Sequence, residues 1–127
     1  MNYHNEMGEF SFTVGPIAAT NAIDSIFWTA NRDYKLVGIK SNFAGASTSG
    51  TVMIEKSPGT LVAPASGVDL LTTDILASGG LLSVVDASLT TSEKDLLIGK
   101  GDSLMMDWSG TVTNLLGMYI QITLECR

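Results

Sequence analysis

The chain has one cysteine, one histidine, three prolines and few charges, its 7 basic and 13 acidic residues making up 16% of 127 positions. Each scarcity closes off a class of function. Cys126 has no partner for an intramolecular disulfide, and one cysteine with one histidine is too little for a zinc site. Nucleophilic catalysis needs a base, and the only imidazole, His4, sits in a polar N-terminal arm, so a Ser-His or Cys-His site is not expected. Seven scattered cations and a pI near 4.4 cannot build a phosphate-binding patch, which excludes nucleic acid as a partner. Long apolar runs are missing too. The longest uncharged stretch, Trp108 to Leu124, is broken by Gly110 and Gly117 and holds six polar residues, so it reads as two strands and a turn and no membrane contact is expected. Met1 to Glu9 carries Glu6 and Glu9 and no basic stretch leading into an apolar one, so it is not read as a signal peptide.

What is present suffices for one domain. Apolar residues make 45% of the chain and the net charge of −6 is modest, which argues against disorder. A chain of this length buries roughly two-thirds of its unfolded surface without staples. Serine and threonine number 26, more than all 20 charged residues together, so the surface must be largely hydroxyl.

Period-two alternation recurs from end to end and helical periodicity is scarce, which predicts an all-β, antiparallel β-sandwich, jelly-roll-like, of about eight strands. The expected organisation is an N-terminal arm over 1–8 and a single β-sandwich domain over 9–127. Phe10, Phe12 and Val14 alternate until Gly15-Pro16 stops the strand. In Tyr34 to Phe43 the alternation puts Lys35, Val37 and Ile39 on one face and Tyr34, Leu36 and Gly38 on the other. Thr51 to Lys56 closes on Ser57-Pro58-Gly59, a turn composition. Val68 to Leu76 fits a short helix as well as a strand, and Leu81 to Ala87 reads as a strand. Thr90-Thr91-Ser92-Glu93 has the spacing of a capping box and predicts one helical turn. Ser103 to Trp108 is the next strand, and Met118, Ile120, Ile122 and Leu124 give the cleanest alternation of all.

Chemistry-bearing motifs are few. There is no Gly-x-Ser-x-Gly elbow and no phosphate loop, since Gly101 stands where Ser or Thr should follow Lys100. Asp69, Asp74, Asp86, Asp95, Asp102 and Asp107 fall near turns or strand ends, where Asp serves as a turn former, and no calcium loop is present. No catalytic residue, cofactor or metal is therefore expected. Phe27 and Trp28 are adjacent in a strand, so one faces the core and the other must meet an opposing sheet edge, a second subunit or a ligand. Met105-Met106, Leu96-Leu97 and Leu81-Leu82 pose the same question, and subunit contact is the economical answer to so much paired apolar surface.

Three segments also carry a resemblance. They are Gly50-Thr51-Val52-Met53-Ile54-Glu55-Lys56-Ser57-Pro58-Gly59-Thr60, then Ala65-Ser66-Gly67-Val68-Asp69-Leu70-Leu71, then Leu97 to Asp107 with its Gly101-Asp102-Ser103-Leu104 strand start, followed by Ser109-Gly110-Thr111. Together they resemble the small accessory proteins encoded among the head genes of tailed bacteriophages, over roughly Val37 to Leu124. The resemblance implies a capsid decoration or cement protein: a non-enzymatic structural virion protein, frequently a trimer, bound to the major capsid protein on the outer capsid surface and made in the host cytoplasm. The expected partner contacts are Tyr3 and His4 in the arm and the exposed member of the Phe27-Trp28 pair. The alternative is a carbohydrate- or receptor-binding knob of a phage fibre, with a Trp or Tyr platform for a glycan.

Overall fold

The computed structural model describes residues 8–78 and 84–127. Two antiparallel sheets face each other as a β-sandwich, with ten strands among the described residues. The long strands are β1 (Glu9–Ile17), β2 (Ser25–Thr29), β3 (Tyr34–Asn42) and β4 (Thr51–Ser57), and later β9 (Ser103–Ser109) and β10 (Met118–Cys126). Between them lie the two-residue pieces β5 (Val68–Asp69), β6 (Ile75–Leu76), β7 (Val85–Asp86) and β8 (Leu97–Ile98). The count exceeds the expected eight because the ambiguous middle of the chain breaks into these short pairings.

Sheet A runs β1-β10-β3-β7, with β8 also on β3, and sheet B runs β2-β9-β4-β5, with β6 also on β4. The first four strands alternate between sheets, and the middle connection crosses from β6 in sheet B to β7 in sheet A. Alternation explains most of the core. Met118, Ile120, Ile122 and Leu124 of β10 are fully buried, opposite Ile54 and Leu104 from the other sheet, also fully buried. Buried methylenes of this kind supply the main driving force of folding.

Local departures from strict alternation correct several expectations. In β3 the register against β10 slips between Gly38 and Leu36, so one extra residue sits at Val37. The slip puts Tyr34 and Leu36 inside together with Ile39 and Phe43, all buried, where simple counting had separated Leu36 from Ile39. In β1, Gly15-Pro16 does not stop the strand but bulges it: pairing with β10 resumes at Ile17 opposite Met118. Residues 68–76 form two short strands and no helix, and Glu93 to Leu96 is a hydrogen-bonded turn, not a helical one, with Asp95 N–H donating to Ser92 O. The expected strand over 81–87 is seen as Val85–Asp86, its first part lying outside the described residues.

Candidate functional site

One side of the sandwich is the seam between β1, the outermost strand of sheet A, and β2, the outermost strand of sheet B. It is filled by a chain of rings. Phe10 meets Tyr34 edge-on at 5.1 Å, Tyr34 lies 5.5 Å from Trp28, Trp28 stacks on Phe12 at 5.2 Å, and Phe12 reaches Phe27 at 6.5 Å. Aromatic pairs at these separations add to the gain from burial alone. Phe27 and Trp28 therefore both turn inward, which adjacent residues of a regular strand cannot do. The register against β9 slips between Ile26 and Trp28, and the resulting bulge brings both rings to the opposing edge. Of the three destinations open to the second ring, the structure supplies the opposing sheet edge. Both rings remain half-buried, and beside them Phe10, Ile23 and Ile26 are exposed, Ile23 to 64%.

The outer faces of the two sheets differ. On sheet B, Glu55, Ser57, Ser103, Met105 and Asp107 share the outer face by register. That face is nonetheless closed, because the segment 58–67 lies across it. Ser57 Oγ accepts the Val62 N–H at 3.0 Å, and Glu55 Oε1 accepts the N–H groups of Ala65 at 2.9 Å and Gly67 at 3.3 Å. Met105 is fully buried beneath this cover and Met106 is buried in the core, so this apolar pair is absorbed within the chain and leaves no surplus for a subunit. Glu55, 2% exposed, is held above the ordinary glutamate value by burial, against the lowering effect of its two backbone donors, with the nearby Asp107 carboxylate adding to the rise.

Sheet A presents an open outer face. Ser11 and Thr123 occupy one cross-strand row and satisfy each other at 2.8 Å. The next row aligns Thr13, Gln121, Lys40 and Asp86, and beyond it Tyr119 lies opposite Asn42. Thr13, Gln121, Lys40, Asn42 and Tyr119, with Val84, line a hollow of about 370 Å³. Tyr119 is 41% exposed. At the far edge, between β6 and β7, a second hollow of about 220 Å³ has Ile75, Leu76, Val85 and Ala87 in its wall, with Asp74 and Asp86 at its polar points.

Of the residues expected to contact partners, Tyr3 and His4 lie outside the described residues, as do Leu81 and Leu82. The structure brings Phe27 and Trp28 together in the seam and places Trp108 against the core, with no acceptor for its buried Nε1 among the described residues. Trp28 lies between Phe12 and Tyr34, so its ring is already engaged within the chain. Several of the aspartates serve local structure: Asp102 Oδ2 accepts the Gly99 N–H at 2.9 Å and Asp74 Oδ2 accepts the Thr51 hydroxyl at 2.8 Å. No group of three potential metal ligands occurs among the described residues. Neither of these two hollows is lined by Glu55 or Asp107. Sequence reasoning missed both the Glu55 cradle and the Tyr119 hollow. The outward position of Tyr119 was legible in the β10 alternation, but its neighbours come from strands whose pairing the chain order does not reveal. No family model, curated protein or solved structure matches the chain.

Proposed function

We propose that this chain is a non-enzymatic structural protein of a phage virion, a decoration or cement protein that binds the outside of the capsid as an oligomer and stabilises it. The observation that carries the reading is the seam side. Two strand edges lie next to each other there, and Glu9 to Val14 of β1 and all of β2 carry no lysine and no proline, two of the devices that keep an edge from pairing, a third, the bulge, falling after Val14 in β1 and at Phe27 in β2. Phe10, Ile23 and Ile26 add exposed apolar area alongside. Such a strip is suited to burial against a second copy or a shell protein, and the low-charge, hydroxyl-rich composition suits a subunit that lives against others. The assignment to a phage head, the jelly-roll-like wrapping and a trimeric state rest on the strand-and-turn resemblance. Stabilisation follows from mass action: a protein that binds only the assembled shell shifts the equilibrium away from opening.

The test is the full chain against purified shells of the phage that encodes it, with light scattering on the free chain. Oligomers in solution and co-sedimentation with shells are expected, and mass spectrometry of the virion finds the chain. Ile26→Asp changes an exposed side chain, so the β circular dichroism signal is retained while oligomers and shell binding are lost. A monomer that ignores the shells, or an Ile26→Asp chain that binds them like wild type, overturns the reading.

A further inference from the structure

We infer that the hollow around Tyr119 on the outer face of sheet A is a binding site for a neutral saccharide, taking one pyranose ring. The composition of the hollow is the first argument. A pyranose has one apolar C–H face and a rim of hydroxyls that both donate and accept. Tyr119 offers an exposed ring, and the amides of Gln121 and Asn42 and the hydroxyl of Thr13 each offer a donor and an acceptor around it. Among the described residues these polar side chains make no hydrogen bonds to one another or to the backbone, whereas Ser11 and Thr123 in the neighbouring row are paired. Among the described residues, then, these groups are left for a ligand.

The seat of the ring is the second argument. Gly15 lies in the β1 bulge with φ +136°, and a Cβ there would come within 2.5 Å of Met118 O and 3.1 Å of Tyr119 Cδ1. The φ and the Met118 carbonyl close this position to other residues, and the glycine leaves Tyr119 bordered by bare backbone on one flank and by Asn42 on the other. Size agrees: about 370 Å³ is the scale of one small-molecule subsite. Charge selects the class. Lys40, the cation at the rim, has the Asp86 carboxylate 3.9 Å away in an exposed, weak pair, and the chain carries a net charge of −6, so a neutral sugar is favoured over a uronate or sialate.

The site is independent of the proposed seam contact, on the other side of β1, and the two are tested separately. The full chain is applied to a printed array of neutral gluco-, galacto-, manno- and N-acetylhexosamine oligosaccharides, and the strongest binder is titrated against variants. Wild type binds at least one neutral glycan. Tyr119→Ala weakens that binding about tenfold or more, as loss of the stacked apolar face requires. Gln121→Ala also weakens it, Tyr119→Phe retains most of it, and Ser11→Ala, outside the hollow, leaves it unchanged. Ile26→Asp leaves glycan binding intact and Tyr119→Ala leaves shell binding intact. No binding to any neutral glycan at millimolar concentration, binding confined to acidic glycans, or Tyr119→Ala and Gln121→Ala chains that bind like wild type would each overturn the inference.

Discussion

Gly67→Ala tests the cover on sheet B most directly. A Cβ at this position would lie 2.6 Å from Met105 Cε, 2.8 Å from Lys56 O and 3.1 Å from Glu55 Oε1. The methionine methyl can swing away, but the Lys56 carbonyl belongs to the β4 ladder and cannot, so the segment carrying residue 67 must lift. Lifting stretches the Gly67 and Ala65 N–H bonds to a carboxylate that is almost fully buried. Overpacking of this kind costs about 1–3 kcal/mol. Weakened hydrogen bonds to a charged group add a share of roughly 1.5–3 kcal/mol. Against this, alanine narrows the unfolded ensemble by about 0.4–1 kcal/mol. The net expectation is a loss of about 2–4 kcal/mol, or a fall in Tm of roughly 6 °C or more for a domain of this size. Urea unfolding followed by the fluorescence of Trp28 and Trp108 measures it. Gly59→Ala is the control, in the same segment, where an added Cβ meets nothing within 4 Å and the variant should be neutral or slightly more stable. Equal unfolding midpoints for the two variants would refute the reasoning.

The remaining expectations concern the same cradle and the seam. Glu55 holds its proton more tightly folded than unfolded, because burial raises its pKa above the ordinary 4.5. Its contribution is therefore fully present below about pH 4.5 and is lost as pH rises through the raised folded value. Glu55→Gln should flatten that decline, gaining on wild type toward neutral pH in a series of urea midpoints, whereas parallel profiles for the two proteins would show that Glu55 does not titrate as its surroundings require. Trp28→Ala removes the stack on Phe12 and the contact with Tyr34, and for a half-buried ring should cost about 2–4 kcal/mol in the same assay. A loss below about 1 kcal/mol would mean that the aromatic chain does not close the seam.

How far the chain could be read depended on whether strands kept a strict period. β10 does, and its four inward residues are the four that alternation names. β3 and β2 do not, because each takes an extra residue against its neighbour, at Val37 and at Phe27. A bulge shifts every later side chain to the other face, and a count by twos cannot register it without knowledge of the partner strand. Gly38, beside the slip in β3, was the one local mark of it. The cover over Met105 was illegible for another reason. It depends on Glu55 meeting two N–H groups ten and twelve residues further along, a contact set by the path of 58–67 after its Pro58-Gly59 turn and not by any periodicity.

That cover changes the reason for expecting a partner. Neighbouring apolar residues in β9 and β2 had suggested more greasy surface than one interior absorbs. The segment 58–67 buries Met105, and the bulge turns Trp28 onto Phe12, so a monomer already disposes of both. Exposed apolar side chains remain elsewhere, at Leu61, Leu76, Val84 and Leu116, but what is left uncovered at the seam is of another kind: two lysine-free strand edges with Ile23 and Ile26 beside them. Strand edges recruit partners through backbone hydrogen bonds, which are directional, whereas a loose apolar excess favours any greasy contact. An oligomer formed here would therefore have a defined register. It should also depend far more on the conformation of β1 and β2 than on the size of any one side chain, apart from charges placed at Ile26.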